Sequence, residues 1–552
     1  MFHKYILVCI LLFAFIIRVY GINWDQNQHL HPDERFLTMV VGAQKIPPSL
    51  SVYLDTAHSK LNPNNIGFSF YVYGMFPLVL IKYLVVFLRL DDYNNITLVG
   101  RAISALFDCG IIFFIYALTL QFEKHLQFDF RIKYVAAFLY SVMVLPIQQA
   151  HFFTVDTFVT FFMLGTTYFA LRYYYDRKLW NLIVCGIFLG LGVASKINAI
   201  YVIPIVLAFL LPQNKKELLR AENLFHYILK VLFFTFVSYI FLRFFDPYLF
   251  QSNNFFIPTI NPLFLKNILE LQALSNPTVW FPPGVQWITK TKILFPLINL
   301  AVFGVGIVTF ILAIFGAKDL LNKHRKFEVW LLGLWVLGIF VYLSMQFTMT
   351  MRYYYILYPF LAISAGYFLT TLVIPNLFRN LIITLVLLWP LSFMAIYTRP
   401  HSRVTASEWM YQNIPNGAVL AQEHWDDSLP VPLPNQNKTY NTVQMGVFGQ
   451  DTPEKWIEIN KTLATADYII FTSNRGYGSI GSVPERFPVM SKFYTDLFAE
   501  KLQFKKIKEF TSYPTLPSCY MLHVACFMFD DQWSEEAFTV YDHPRVTIFK
   551  KL

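Results

Sequence analysis

The residues best suited to chemistry are carboxylates and cations placed at the edges of apolar runs. The chain Asn23-Trp24-Asp25 through His31-Pro32-Asp33-Glu34-Arg35 follows the first apolar run directly. Two adjacent acids beside a histidine can supply a general base, although an acid near a helix start can equally serve as a cap. Asp156, in Gln148-Gln149-Ala150-His151-Phe152-Phe153-Thr154-Val155-Asp156, opens the next apolar run. It is either an N-cap or a second working carboxylate, since a charge at a membrane edge is costly unless paired or used. Lys196 ends Gly190-Leu191-Gly192-Val193-Ala194-Ser195 between two apolar stretches. It can snorkel to headgroups or meet an anion such as a phosphate. Arg352, in Met351-Arg352-Tyr353-Tyr354-Tyr355, stands similarly at the start of a run whose aromatics suit a membrane interface. His31 and His151 are candidate substrate contacts or structural histidines. Arg101 and Asp108 share one helix face, too far apart for an easy direct pair, so a structural ion network is expected there.

These side chains need a membrane scaffold. Of the 552 residues, 56% are hydrophobic and 14% charged, against roughly 25% charged in a soluble domain. The apolar residues fall in blocks of bilayer-crossing length. Crossings are expected at about 5–22, 101–121, 134–150, 155–175, 180–195, 197–211, 227–247, 293–316, 328–347, 353–373 and 379–397. The first block lacks a small-residue cleavage site and is interrupted by Arg18, so it reads as an uncleaved helix. The +10 net charge sits largely in short loops, the positive-inside pattern rather than a nucleic-acid footprint.

Phe70 to Leu90 decides the sidedness. If it crossed, Lys124, Arg131, Lys133, Arg177, Lys178, Lys215, Lys216, Lys318, Lys323, Arg325 and Lys326 would all face outward. An interfacial segment, with Lys82 and Arg89 able to snorkel, keeps them in the cytoplasm. Asp33, Glu34, Asp156, Lys196 and Arg352 then share the external face with loops 23–100 and 248–292. The amphipathic stretch Pro262 to Leu274 is expected to lie along the interface. The expected fold is an α-helical polytopic membrane protein with about eleven transmembrane helices (1–397) and a C-terminal α/β soluble domain (398–552).

In the tail, Ala418 to Gln422, Tyr468 to Thr472 and Phe538 to Phe549 read as strands, and Pro484 to Leu502 contains a helical pattern. The segment Glu423-His424-Trp425-Asp426-Asp427 can stack on and hydrogen-bond a sugar, or simply pack a loop. Trp425 and Asp426 are the candidate contacts. Cys9, Cys109 and Cys185 read as core residues, while Cys519 and Cys526 could form a disulfide in an oxidising compartment.

Some motifs are missing. There is no Gly-x-x-x-x-Gly-Lys-Ser/Thr loop for ATP hydrolysis, no zinc-ligand cluster and no Asp-x-Asp clamp for a sugar nucleotide. No cofactor is called for with certainty, and a divalent metal is left open.

The set as a whole resembles the GT-C fold glycosyltransferases, particularly the protein O-mannosyltransferase family and the bacterial aminoarabinose transferase group. The resemblance rests on His31-Pro32-Asp33-Glu34, Gly100-Arg101-Ala102-Ile103-Ser104-Ala105-Leu106, Asp156-Thr157-Phe158-Val159-Thr160-Phe161-Phe162, Gly190 to Lys196 and Arg352-Tyr353. It covers about residues 1–400. It implies a GT-C-like fold and a polyprenyl-phosphate-linked sugar donor drawn from membrane lipid. The acceptor is a protein, lipid or glycan outside the cell membrane, expected to be a bacterial inner membrane, and nucleic acid is not a partner. It further implies that Asp33 is the catalytic aspartate and Glu34 its acidic neighbour, with Asp156 the second external acid. Lys196 and Arg352 match its basic positions for the donor phosphate, and Arg101 is a further candidate for binding that phosphate. The tail departs from the mannosyltransferases, which leaves a protein acceptor in doubt. A transporter or flippase of a lipid-linked substrate is the alternative from another class. It predicts acids spread through the bilayer rather than gathered on one face. A surface-polysaccharide polymerase or ligase would share the donor class.

Overall fold

A computed structural model describes residues 3–212, 221–278, 280–373, 375–516 and 528–552. Cys519, Cys526, Lys215 and Lys216 lie outside the described residues.

The first three-quarters of the chain is helical, and its apolar helices make this an integral membrane protein. Tyr93–Leu126, Glu222–Phe245, Phe327–Met345 and Asn376–Asn413 are long and apolar enough to cross a bilayer. Two bent pairs, Ile132–Ser141 with Val144–Ala150 (59°) and Leu294–Val305 with Ile307–Lys323 (113°), raise the number to six among the described residues. The expected eleven also counted shorter apolar helices such as Tyr5–Val19, Leu179–Val193 and Ile197–Leu210. Several of the expected crossings are short or broken. Leu179–Val193 has 15 residues, about 22 Å of helix against a hydrocarbon core of roughly 30 Å. The run after Lys196 starts as a 3₁₀ turn, Ile197–Val202, before Ile203–Leu210. Val155–Asp176 is long, but Thr157, Thr160, Thr166 and Thr167 dilute its hydropathy.

Phe76–Leu88 is the helix within the decisive segment. Its 13 residues span about 20 Å, too little for a crossing. Lys82 does not snorkel as expected: it is buried and reaches Asp91 at 2.7 Å. Pro262–Leu274 is helical as expected, with Asn261 as its cap. Asn267 donates to the Ser69 carbonyl at 2.9 Å, and this anchor leaves Leu265 and Leu269 exposed on the other side.

The tail forms one five-stranded sheet. Its strands are β1 (Val419–Glu423), β2 (Asn441–Met445), β3 (Tyr468–Phe471), β4 (Phe504–Phe510) and β5 (Val546–Lys551), in the order β2-β1-β3-β5-β4. β1 runs parallel to β2 and β3, and β5 is antiparallel to β3 and β4. The strands at 419–423 and 468–471 match expectation. β2 and β4 were missed because their outward residues are mostly polar. The expected strand from Phe538 starts only at Val546, after a short helix Glu536–Thr539. The helix expected over Pro484 to Leu502 is confined to Pro488–Phe498.

Strand alternation gives the sheet two different faces. Ala421, Ile469, Phe471 and Phe549 pack with Ile459, Met490, Phe493 and Leu497 in a core belonging to the tail. Leu420, Ile470 and Ile548 point the other way, with Val404 and Met410, into the core of the helical bundle. The sheet is therefore fused to the bundle by a shared apolar core, and the composition change at 398 falls in the 3₁₀ turn Ala395–Thr398.

Candidate active site

Asp33 is aimed by a short helix, Pro32–Ala43. Pro32 supplies the fixed φ suited to a first helical position. His31 is the N-cap, its Nδ1 accepting from the Glu34 amide at 3.3 Å. Neighbouring side chains on a helix diverge by about 100°, and the two acids accordingly part. Asp33 forms an ion pair with Arg352 in which both side chains keep about a quarter of their surface exposed. Burial would raise the Asp33 pKa, but Arg352, with help from His31 and Lys196, overrides it and holds the carboxyl at about 2.

Asp156 lies in the first turn of Val155–Asp176. Its carboxylate accepts from Lys196 Nζ at 2.6 Å. Lys196 is in extended backbone just beyond Leu179–Val193, so its ammonium is presented at a helix break. The two ion pairs meet over one aromatic ring: Lys196 Nζ lies 5.2 Å and Arg352 Cζ 5.9 Å from the Tyr353 ring centroid. Both distances are within cation–π reach. Arg352 Nε is buried and has no hydrogen-bond partner among the described residues.

A loop before Phe76 closes another side. Gly74 donates to the Ser195 carbonyl at 3.0 Å and Phe76 to the Ala194 carbonyl at 2.8 Å. Only glycine permits this docking, because a Cβ at position 74 would lie 2.1 Å from the Ala194 oxygen. The loop holds Tyr73 within electrostatic reach of Asp33, Arg352 and Asp156, and burial pushes its phenol well above the usual range.

Other expected site residues lie outside this cluster. Arg101 is fully buried and donates to Glu34 at 2.9 and 2.5 Å, to Asp25 at 3.1 and 2.9 Å, and to the Ile22 carbonyl at 2.7 Å. Glu34 also accepts from the Phe153 amide at 2.7 Å. The structure thus places Arg101 and Glu34, expected at the donor phosphate and beside the catalytic acid, in a buried ion cluster apart from the Asp33–Arg352 pair. All five N–H groups of Arg101 and both oxygens of Glu34 are engaged in fixing the first loop to the second, and breaking such a buried cluster costs about 3–5 kcal/mol. His31 is corrected to a cap. It is buried between Phe152 and Tyr541, and desolvation pushes its pKa down to about 4. His151 is buried against Tyr397, its ring nitrogens 2.8 and 3.0 Å from the carbonyls of Ile147 and Tyr20, which leaves no face for substrate. Asp426 is likewise structural, bonded to Arg403 at 2.7 Å and to Ser473. Its neighbour Asp427 joins Arg403 to Arg35 at 3.1 and 2.8 Å and so ties the tail to the Asp33 helix. Trp425 stays 43% exposed, the one expected tail contact open to a ligand. Asp108 belongs to an ion network as expected, but its cation is Arg18, with Tyr140 donating at 2.8 Å and Tyr355 also donating.

Two site neighbours had no sequence signal. Glu535 accepts from the Met351 amide at 3.2 Å, and the Tyr541 ring packs against His31, tilted by 45° with centroids 4.2 Å apart. Both come from the segment between Met528 and β5, whose only local cue was an acidic, aromatic composition. Among the described residues no group of three or more His, Cys, Asp or Glu side chains is arranged to hold a metal ion.

Residues 80–241 match the family model described as dolichyl-phosphate-mannose-protein mannosyltransferase. That stretch contains Asp156 and Lys196 but neither Asp33 nor Arg352. No curated protein matches the chain in sequence. Among solved structures, the chain is similar to the archaeal oligosaccharyltransferase AglB from Archaeoglobus fulgidus in complex with an inhibitory peptide and a dolichol-phosphate. The identity is 13% and the TM-score 0.47, with 100% of this chain and 89% of that chain covered. It is also similar to ArnT from Cupriavidus metallidurans bound to undecaprenyl phosphate, at 12% identity and TM-score 0.47, with 98% of this chain and 97% of that chain covered.

Proposed function

We propose that this protein is a GT-C-like glycosyltransferase that moves a sugar from a polyprenyl-phosphate donor to an acceptor outside the membrane. The observation that carries the reading is the convergence of Asp33–Arg352 and Asp156–Lys196 over Tyr353. Two carboxylates and two cations, brought from four separate segments to one partly open site, match what transfer from a lipid phosphate requires. The family match over 80–241 supports the same chemistry.

In this reading Asp33 takes the proton of the acceptor hydroxyl as its oxygen attacks the anomeric carbon, with inversion. The bond from that carbon to the phosphate oxygen breaks, and Lys196 and Arg352 take up the charge developing on the leaving lipid phosphate. Asp156 holds Lys196 in place and is the second acid near the acceptor. The buried, fully paired Asp108 speaks against a transporter, because an acid locked to an arginine and two tyrosines offers no relay through the bilayer.

A deletion strain tests the reading. Mass spectrometry should find one polyprenyl-phosphate sugar accumulated and one sugar missing from surface glycans, lipids or proteins, which would also identify the acceptor class. Unchanged lipid-linked sugars and surface glycans would sink the proposal.

The site and the tail face outward in this reading, across the inner membrane of a bacterium, and Trp425 meets the acceptor. In Trp425→Cys, a membrane-impermeant maleimide should label the new thiol on intact cells. Trp425→Ala should raise the acceptor KM by roughly tenfold, the scale of one lost sugar–aromatic contact, while sparing the donor KM. Labelling only after lysis would reverse the orientation, and an unchanged acceptor KM would return Trp425 to a packing role.

A further inference from the structure

The segment from Met528 to Pro544 leaves the sheet and runs between the tail and the helical bundle before returning as β5. It is stitched to the bundle along its length. Asn299 Oδ1 accepts from the Glu535 amide at 2.7 Å. Gln148 Nε2 donates to the Phe538 carbonyl at 2.8 Å and to Asp542 at 3.0 Å, and the Tyr397 hydroxyl donates to the same carboxylate at 3.0 Å. The His401 ring lies 3.0 Å from the Tyr541 carbonyl. Trp533 and Phe538 pack on Phe303 at 4.5 and 5.6 Å. His543 is clasped between Asp531 and Asp542 at 2.8 and 2.5 Å. Burial opposes its charge, yet the two carboxylates hold its pKa up at about 10, so the clasp stays charged at neutral pH.

This strap contacts the neighbours of both members of the Asp33–Arg352 pair. On the cation side, Glu535 is almost fully buried. One carboxylate oxygen accepts from the Met351 amide at 3.2 Å, and the other from the Ala537 amide at 3.4 Å, capping the strap's own short helix. It therefore links the strap to the backbone one residue before Arg352. On the acid side, the Tyr541 ring packs at a tilt against His31, the cap of the helix that carries Asp33.

We infer that the strap is a positioning element of the active site, and that Glu535 is a positioning residue that sets where Arg352 stands to receive a lipid phosphate. The inference rests on the glycosyltransferase reading for its ligand and on the hydrogen-bond geometry for its mechanism. The tail thereby acquires a role in donor binding distinct from recognition of the acceptor. Burial raises the Glu535 carboxyl to about 7 despite opposition from the Met351 amide, Thr350 and Arg352. A side chain near half protonation can still accept from Met351 in either form. The bond therefore does not require the charge, and the side-chain carbonyl introduced by Glu535→Gln can preserve it.

The experiment uses purified full-length protein in nanodiscs, with undecaprenyl phosphate as the probe. Hydrogen exchange in the absence of probe reads the brace itself. Glu535→Ala should speed exchange in peptides covering residues 349–353, and Glu535→Gln should leave it near wild type. Probe binding reads the consequence: Glu535→Ala should weaken it by roughly tenfold, the scale of one hydrogen bond to a site element, and Glu535→Gln should restore it to within about threefold. Trp425→Ala, the acceptor-side control, should bind the probe normally. Unchanged exchange in Glu535→Ala overturns the brace. Faster exchange with unchanged probe affinity overturns the positioning role. A wild-type protein that exchanges as expected but does not bind the probe overturns the donor reading, and with it the role assigned to the strap in donor binding.

Discussion

Asp33→Asn should slow single-turnover transfer by roughly a hundredfold to ten-thousandfold, the range for loss of a general base, while a polyprenyl phosphate binds at least as tightly as to wild type. The second half of this expectation comes from the ion pair. Asp33 neutralises Arg352, so a phosphate must compete with the carboxylate for the guanidinium, and the amide removes that competitor. The pairing also explains how a carboxyl held at about 2 can act as a base. A depressed pKa keeps Asp33 ionised throughout the neutral range and loses its charge only as pH falls through that low value, but it also makes a weak proton acceptor. When a phosphate draws Arg352 towards itself, the largest influence holding the pKa down weakens, and basicity rises once the donor is seated. The acid limb of kcat, which reports the bound complex, should therefore lie above that of kcat/KM, which reports the free enzyme. Near-normal transfer by Asp33→Asn would remove Asp33 as the base, and a larger loss in Asp156→Asn would move that role to the second acid.

Lys196→Ala and Arg352→Ala should each lower transfer by roughly a hundredfold to a thousandfold, the scale of losing one group that stabilises a developing oxyanion. Their secondary effects differ because their surroundings differ. Asp156 is 4% exposed, so Lys196→Ala strands a buried carboxylate and should also reduce thermal stability. Asp33 keeps a quarter of its side chain open, so water can solvate it in Arg352→Ala and the fold should suffer little. Lys196→Arg should rescue only in part, because a planar guanidinium cannot occupy an ammonium's place between Asp156 and the Tyr353 ring. Single-turnover rates with a defined polyprenyl-phosphate sugar check this, and wild-type rates in both alanine variants would rule out the phosphate roles.

The sequence disclosed Asp33, Asp156, Lys196 and Arg352 because a charge at the end of an apolar run is conspicuous without any knowledge of its partner. It did not disclose which cation meets which acid. The pairs span 319 and 40 positions, and no local pattern encodes a contact at that range. The same limit explains the misassigned residues. Glu34 sits beside Asp33 in sequence, but the helix turns it towards Arg101, and Asp25, the third member of that cluster, gave no signal of its own. His31 and His151 could be read as substrate contacts or as structural histidines, and both are buried where backbone groups and aromatic rings cover them. The apolar blocks were legible as helices, whereas the breaks within them were not. Composition does not show that Ile132–Ser141 and Val144–Ala150 meet at 59°, or that the run after Lys196 opens as a 3₁₀ turn. In the tail, the buried central strands were readable from their apolar runs. The polar edge strands β2 and β4 were not, nor was the strap that carries Glu535 and Tyr541, because its order comes from contacts with the bundle.

The most direct test of the central claim is the affinity of undecaprenyl phosphate for three purified proteins in nanodiscs: wild type, Asp33→Asn and Arg352→Ala. If the two ion pairs form a lipid-phosphate site, wild type binds, Asp33→Asn binds as tightly or more tightly, and Arg352→Ala binds at least about tenfold more weakly. Equal affinity in all three, or no binding by wild type, would contradict it.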